Sequence, residues 1–512
     1  MQDRAMKLFY ALLFLFANTT KGDFQTLASS LNIRNSQIKS LAAQYAQASN
    51  SADVVQVACQ TAQISLGESQ VNASPINQTL VEENWSQTCW IEPYHIVMPR
   101  NTQDVSVALK IITFFAVKFS VRSGGHSPSP GFSSVGKEGI LMDMGKLREI
   151  TLSRDRSVAS VGPGAVWGDV YEVLSTAKVL TVRAREPVVG VGGSVVGGGY
   201  FYFSEQFGLA ADNVKNFEVV LANSTIVYTN IASNPDLFRA LKGGGPNFGT
   251  VTRYDLYTIP VSTIWVQIST YPTTMALPAL TAFDAWQTNG SSDPKSTIAL
   301  SISLDSILVG LLYSEPLEEP SSVFGDIYGL EVGNVVFPAG NIGFAELQKW
   351  VAGAFLPGRG RHDYRAFASR TDTNITYQAY TFWSEKALAV RDATGANQSF
   401  VLQHVGTGLI EQGIQKGGNA LWWTTTVDWE NEEDDDLVRQ VSIQTTEFWG
   451  KLTREANLDI SFLYMNDASR DQNPLASYGR DCLARLKETA LRHDPEQVFQ
   501  KLQNNGFLLS ES

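Results

Sequence analysis

Phe119-Ser120-Val121-Arg122-Ser123-Gly124-Gly125-His126-Ser127 carries the chain out of an apolar, strand-like run, through two glycines and onto a histidine. Two further clusters follow: Gly190-Val191-Gly192-Gly193-Ser194-Val195-Val196-Gly197-Gly198-Gly199 and Gly243-Gly244-Gly245-Pro246-Asn247-Phe248-Gly249. Glycine admits positive φ and lets backbone N–H groups approach a ligand with no Cβ in the way. Consecutive amides turned inward form a nest for an anion such as a pyrophosphate. The familiar nucleotide templates fail when counted out. Gly190 and Gly192 begin a G-x-G-x-x-G pattern, but Val195 stands where its last glycine belongs, and no GxxxxGK[ST] occurs. One such cluster alone is a tight turn; three together point to a diphosphate-bearing cofactor without saying which.

Held between Gly125 and Ser127, His126 reads as exposed on a flexible loop. Four roles are open to it: metal ligand, acid–base group, covalent attachment point or plain loop histidine. His95, His362, His404 and His493 show no i,i+3 or i,i+4 pairing, and Cys59, Cys89 and Cys482 no paired spacing, so no metal site is expected.

At 512 residues, 44% hydrophobic and 18% charged, the chain has material for about two or three domains with a large core, which excludes general disorder. Lys and Arg total 39 against 51 Asp and Glu, a net charge of -12 with no basic stripe, so nucleic acid is not an expected partner. Arg4 and Lys7 flank an apolar run from Leu8 to Ala17, with small or polar residues from Thr19 to Gly22. This reads as a secretory signal over residues 1–22 rather than a buried helix, and the run is short for a membrane span. Sequons at Asn72, Asn77, Asn84, Asn223, Asn289, Asn374 and Asn397, and Asn18 beside the signal, suit a secreted glycoprotein. In an oxidising compartment Cys59 and Cys89 are candidates to close a loop, leaving Cys482 unpaired.

Residues 23–86 read as polar and mostly helical. From Trp90 to about Pro260, short β-branched runs alternate with glycine turns and helices. Val105, Ala108, Leu109, Ile112 and Phe115 recur at helical spacing and predict a helix from Thr102 to about Ala116. Residues 261–460 are richer in aromatics, with alternating strands such as Thr263–Thr270, Ile298–Leu304 and Trp422–Trp429. Pocket residues are expected from this region, where Trp265, Trp286, Trp383, Trp422 and Trp423 suit an apolar or aromatic ligand as well as a core. The acidic run Glu430–Asp436 reads as a solvated turn or helix start, and Asp481–Gln503 as an amphipathic helix broken at Asp494-Pro495.

Val121 to Pro130 with Gly131-Phe132-Ser133 resembles the R-x-G-G-H loop of FAD-linked oxidases with a vanillyl-alcohol-oxidase-like, or PCMH-type, FAD domain. Val161-Gly162-Pro163-Gly164, Trp167 to Tyr171, Gly190 to Tyr200, Phe207 to Val214, Asp236 to Gly245 and Phe248 to Val251 continue the likeness in family order. Tyr464-Met465-Asn466, Ser477-Tyr478-Gly479 and His493-Asp494-Pro495 resemble the closing segment of the berberine-bridge-enzyme-like branch, in its secreted fungal form. The resemblance implies an α+β protein: a two-subdomain FAD domain at 88–262 after a helical segment at 23–87. A substrate domain at 263–460, an antiparallel sheet flanked by helices, and a closing segment at 461–512 packed back on the FAD domain complete the chain.

By the same resemblance FAD is held by Arg122, Ser123, Gly124, Gly125, Ser127, Gly131, Gly190, Gly192, Gly193, Gly197, Gly198, Asp212, Val251 and Asn466. His126 matches the histidine bonded to the flavin 8α carbon. Glu186 stands where many relatives carry a second, cysteinyl link, so a single attachment is expected and a sugar substrate is disfavoured. Valine at Val189 resembles the oxygen-reactive members. Cys59 and Cys89 resemble the branch's N-terminal disulfide. Hydride transfer also needs a base. Tyr464 is the first candidate, with aromatic packing as its alternative. Asp467, where many relatives have tyrosine, is a base or a solvated turn residue; Glu186 is a base or flavin-tuning group, or else pairs with Arg183 or Arg185. The expected protein is a secreted, monomeric FAD oxidase of a small secondary metabolite (an alcohol, amine or activated C–H) that reduces O2 to H2O2. The alternative is a redox-neutral cyclase or isomerase of a polyene in which FAD is structural.

Overall fold

A computed structural model describes residues 23–330, 333–355, 360–406, 409 and 420–512. The expected signal segment and the Asn18 sequon lie outside these residues. Among the described residues three sheets organise the chain. The first has the order β1-β2-β4-β3, from Val71–Asn72 (β1), His95–Val97 (β2), Lys118–Arg122 (β3) and Gly139–Asp143 (β4). Strands β2, β4 and β3 run parallel, and β1 is antiparallel to β2. Parallel neighbours need a crossover, and the helix Thr102–Phe115 supplies it between β2 and β3. Asn101 caps its start by accepting the Asp104 N–H at 3.0 Å, and Ala116 ends it in the left-handed region at φ 49°. Its apolar face is buried with residues of the helix Ser51–Leu66 and of β3 and β4.

The second sheet runs β5-β6-β10-β8-β9, with β7 beside β10. Its strands are Ile150–Leu152 (β5), Val158–Val161 (β6), Leu180–Thr181 (β7), Val214–Val220 (β8), Ile226–Thr229 (β9) and Thr250–Ile259 (β10), all paired antiparallel. The third is a seven-stranded antiparallel sheet in the order β14-β11-β13-β12-β16-β17-β15. It comprises Thr263–Tyr271 (β11), Ser296–Ser303 (β12), Ile307–Tyr313 (β13), Asn334–Gly343 (β14), Arg361–Arg370 (β15), Asn397–Val405 (β16) and Ala420–Trp429 (β17).

Side-chain alternation gives this sheet two different faces. Along β17, Trp423, Val427 and Trp429 pack with residues of the helices Ala276–Asn289, Thr373–Thr394 and Asp435–Glu455. Thr424, Thr426 and Asp428 turn the other way, onto a cavity. The C-terminus closes the assembly at β3, where Phe119 accepts from the Asn504 N–H at 2.7 Å and donates to the Leu502 carbonyl at 3.0 Å. The broken tail helix is found as Arg480–His493 followed by Val498–Lys501. The acidic run forms a short turn and helix start, yet Asp435 is tied down, accepting from Arg361 at 2.6 Å and from Trp429 Nε1 at 2.7 Å.

Two sequence expectations are corrected. Cys59 and Cys89 are free thiols rather than a disulfide. Cys59 packs among the apolar residues of its helix layer, and Cys89 donates to the Ser127 carbonyl at 3.3 Å. Asn84 is not a surface sequon. It is buried, accepts from Ser133 Oγ at 2.8 Å and donates to the Cys89 carbonyl at 3.3 Å. Among the described residues no helix is long and apolar enough to cross a membrane.

Candidate active site

A cavity of about 840 Å³ lies where the three sheets meet. The first two glycine clusters form one wall. Gly124 and Gly190 abut so closely that a Cβ on Gly124 would stand 2.5 Å from the Gly190 Cα. Ser123 Oγ stitches them further, accepting from the Gly192 N–H at 3.1 Å and donating to the Pro163 carbonyl. Gly125 has φ 64°, a left-handed turn that glycine adopts without strain. Among the described residues, the N–H groups of Gly124, Gly125, His126 and Ser127 donate to no protein acceptor. Buried amides seek partners, so four unclaimed donors beside a cavity suit an anionic ligand. Gly193 also faces this space, with no atom within 4 Å of where its Cβ would be. The cradle therefore fits a diphosphate cofactor such as FAD.

His126 is neither freely exposed nor loosely held. Its ring stacks on Trp85 at 4.3 Å between centroids, and His362 stacks on the other face of Trp85 at 3.9 Å. Trp85 is itself fixed by its N–H donating to the Gly125 carbonyl at 2.9 Å. Burial, with the His362 ring adding to it, pushes the His126 imidazole down to about 4, so it is neutral at physiological pH. Tyr364 Oη lies 3.2 Å from His126 Nδ1. Burial and the Asp467, Glu186 and Asp428 carboxylates raise the Tyr364 phenol well above its ordinary value, so it keeps its proton, and the imidazole tautomer sets which partner donates in this bond.

Ser123, Ser127, Gly192, Val251 and Asn466 line the same cavity, as do the candidate bases Tyr464, Glu186 and Asp467. Five expected cofactor contacts do not. Arg122 is buried behind the wall, bonded to Asp143, to Glu83 at 2.9 Å and to the Leu80 carbonyl at 2.6 Å, and so pins the segment before Trp85. Gly131 makes a turn at φ 84° whose carbonyl accepts from Ser120 Oγ at 3.1 Å. Gly197 is filled over by the Asn466 amide, and Gly198, at φ 117°, by the Tyr464 ring. Asp212 closes its own turn by accepting the Leu209 N–H at 2.9 Å.

The bases differ in readiness. Tyr464 Oη accepts from the Tyr200 N–H at 2.7 Å and from Asn466 Nδ2 at 3.1 Å, while its ring stacks on Trp422 at 4.9 Å. Burial and then Asp467 raise its pKa. An anchored, protonated phenol is a poor base. Asp467 is not a solvated turn residue: it lines the cavity, and Gln403 Nε2 donates to Oδ2 at 2.7 Å, leaving Oδ1 without a partner among the described residues. Burial raises its pKa, against the lowering by Arg185 and Gln403. Glu186 is likewise raised by burial, with Arg185 and Arg183 pulling the other way, yet it forms no ion pair with either among the described residues.

Trp85, Tyr364 and Gln403 have no signature in the sequence, and Trp85 sits inside a sequon that directed attention to the surface. The five tryptophans singled out in residues 261–460 do not line the cavity. Trp265, Trp286, Trp383 and Trp423 belong to the core on the helix side of the sheet, and Trp422 packs on Tyr464 and Phe462. Among the described residues no group of three or more His, Cys, Asp or Glu is placed to hold a metal ion.

Amides without a protein acceptor among the described residues, a neutral histidine beside them and the third sheet across the space suit a diphosphate-bearing redox cofactor. Residues 93–230 match the FAD binding domain family. The chain is 37% identical over 437 residues to an FAD-dependent monooxygenase of Arthrobotrys oligospora, covering 84% of each chain. Among solved structures it is similar to 6-hydroxy-D-nicotine oxidase from Arthrobacter nicotinovorans, with TM-score 0.73, 18% identity, and coverage of 86% of this chain and 98% of that one. It is also similar to glucooligosaccharide oxidase from Acremonium strictum, with its 6-S-cysteinyl, 8α-N1-histidyl FAD (TM-score 0.70, 20% identity, 83% and 94% covered). The chain belongs to the family of fungal FAD-dependent oxidoreductases represented by these relatives, and it shares the fold of the PCMH-type and berberine-bridge-enzyme-like FAD oxidases.

Proposed function

We propose that the protein is an FAD oxidase of a small organic substrate, with the cofactor attached through His126 alone and O2 as electron acceptor. The observation that carries this is one cavity uniting a neutral His126 with the amides of Gly124–Ser127, which have no protein acceptor among the described residues, and the carboxylates of Asp467 and Glu186, which form no ion pair among them. When bound, FAD supplies the acceptor for a hydride from substrate and passes the electrons to O2, giving H2O2. His126 offers a lone pair for covalent attachment because burial keeps it unprotonated. Glu186 stands where a cysteinyl second link is expected in relatives, and a carboxylate cannot form that thioether. Trp85 and Tyr364 hold the His126 ring in place. Tyr464 and Asn466 brace the glycine wall, Asn466 donating to the Ser194 carbonyl at 2.9 Å. Asp467 Oδ1 is the group free to take the substrate's proton. Val189 in the cavity wall suits oxygen access.

The relative from Arthrobotrys oligospora favours a second reading, insertion of one oxygen atom into the product. Oxygen uptake with anaerobic bleaching of the flavin by substrate tests the oxidase reading. H2O2 equal to the oxygen consumed supports it; labelled oxygen in the product supports monooxygenation; neither change leaves the redox-neutral cyclase. Secretion and glycosylation form part of the proposal, supported by the exposed sequons Asn77, Asn223, Asn289 and Asn374. Intact-mass analysis before and after deglycosylation checks them.

A further inference from the structure

Arg122 and Arg183 are each 1% exposed, and the fold treats them differently. Arg122 is neutralised by Asp143 and, at 2.9 Å, by Glu83. Arg183 has no such partner: among the described residues its Nε and both terminal nitrogens donate no hydrogen bond and enter no ion pair. Burial lowers its pKa to about 10, so it stays charged at neutral pH. Its guanidinium carbon lies 5.2, 5.8 and 4.9 Å from the ring centroids of Tyr171, Phe201 and Phe344. Ring faces attract a cation, but the N–H donors in the guanidinium plane still want acceptors. Phe344 also opens the helix Phe344–Phe355, whose positive dipole end adds to the charge. One turn on, at i+4 and so on the same helix face, Gln348 is 5% exposed with neither amide atom bonded. A desolvated cation and a buried amide without partners are both costly.

The enclosure selects the acceptor. It is anionic, because guanidinium and helix end are both positive. It is small, because aromatic rings surround Arg183 and neither Arg183 nor Gln348 lines the large cavity. It is monovalent, because one negative charge balances the guanidinium, whereas a divalent oxyanion would carry uncompensated charge into apolar surroundings. We propose that Arg183, with the Gln348 amide, binds a small monovalent anion such as a halide. Tyr171, Arg183 and Phe201 come from connections of the second sheet, and Phe344 and Gln348 from the helix after β14 of the third. The anion therefore ties these two parts of the chain together at their seam, apart from the cofactor cavity. Glu186 acts on Arg183 electrostatically but forms no ion pair with it among the described residues, so it does not replace the anion.

The test uses the full-length protein as purified, with sodium bromide as the probe. Sodium gluconate at matched ionic strength, its anion too bulky for the enclosure, is the control. Bromide should raise the thermal midpoint with the logarithmic dependence of a ligand bound only by the folded chain, and gluconate should not. Anomalous scattering from bromide-soaked crystals should place one ion within hydrogen-bond reach of the Arg183 guanidinium. Arg183→Met should lose both the bromide-dependent rise and the ion. Gln348→Met, which keeps the guanidinium and guards against misfolding of the first variant, should weaken bromide binding roughly three- to tenfold, the worth of one hydrogen bond. An equal rise with gluconate, no bromide beside Arg183, or an Arg183→Met protein that keeps the full rise would overturn the site. So would bromide binding only in Glu186→Gln, since Glu186 would then be the partner in the wild type. Bromide binding is read without substrate or turnover and so stands apart from the oxidase reading.

Discussion

Two alanine substitutions in the same glycine run should part company. At Gly190 a new Cβ would stand 2.7 Å from the Gly124 Cα and 2.8 Å from Ser123 Oγ. The first neighbour is backbone and cannot swing aside, so the loops must separate at a cost of about 1–3 kcal/mol, typical of overpacking. At Gly193 no atom lies within 4 Å of the new methyl, and the residue is helical within Val191–Val196. Replacing glycine by alanine in a helix stabilises by roughly 0.5–1 kcal/mol. That methyl, however, projects into the cavity assigned to FAD. Gly190→Ala should lower both the denaturation midpoint and the flavin-to-protein ratio. Gly193→Ala should keep or raise the midpoint while its flavin content falls, about 1.4 kcal/mol of lost affinity corresponding to tenfold. Urea unfolding and the flavin absorbance of the same samples measure both quantities. A Gly193→Ala protein with full flavin content would refute the placement of the cofactor against this wall.

Asp467→Asn should retain flavin but lose turnover by about 10²–10⁴-fold, the usual worth of a positioned base. A base must be ionised, and burial raises the Asp467 pKa, so wild-type turnover should fall as pH drops through a value above the ordinary aspartate range. Glu186→Gln should keep that acid limb, and its disappearance there instead would transfer the role of base to Glu186. Stability should also depend on pH. Burial depresses His95 and His404 to about 3 and His126 to about 4, so below 6.5 the unfolded chain takes up protons that the folded protein refuses. Stability should fall between pH 6.5 and about 3, partly offset by Glu186, Glu205 and Asp467, whose raised values act in the opposite sense. Thermal melts of His95→Leu across this range should show a shallower fall. In protein from a eukaryotic secretion host, glycopeptide mapping should find Asn84 unmodified, because its side-chain amide is buried and bonded in the folded chain.

Local rules carried the sequence reading where local physics decides the outcome. The helix predicted from Thr102 to about Ala116 is Thr102–Phe115, and the strand expected at Thr263–Thr270 is Thr263–Tyr271. The glycine clusters were legible because backbone that meets backbone, as at Gly124 and Gly190, tolerates no side chain. Partners brought from far along the chain were not legible. Trp85 reaches His126 across a loop, Tyr364 comes from β15, and Gln403 reaches Asp467 from β16. Arg122 and Asp212 are charged residues inside motif blocks, and both serve the architecture rather than the cavity. A motif marks where the chain passes a ligand; it does not say which side chains turn toward it. The tryptophans of β17 illustrate the same limit, since strand alternation alone leaves open which face is the core.

Acid precipitation of the purified protein, followed by the mass of its His126 peptide, tests the central claim most directly. A yellow pellet and a His126 peptide carrying one FAD, with no second attachment at Glu186, are expected. Flavin released into the supernatant would leave FAD binding standing and remove His126 as the link. Well-folded protein with no flavin in either fraction would contradict the account as a whole.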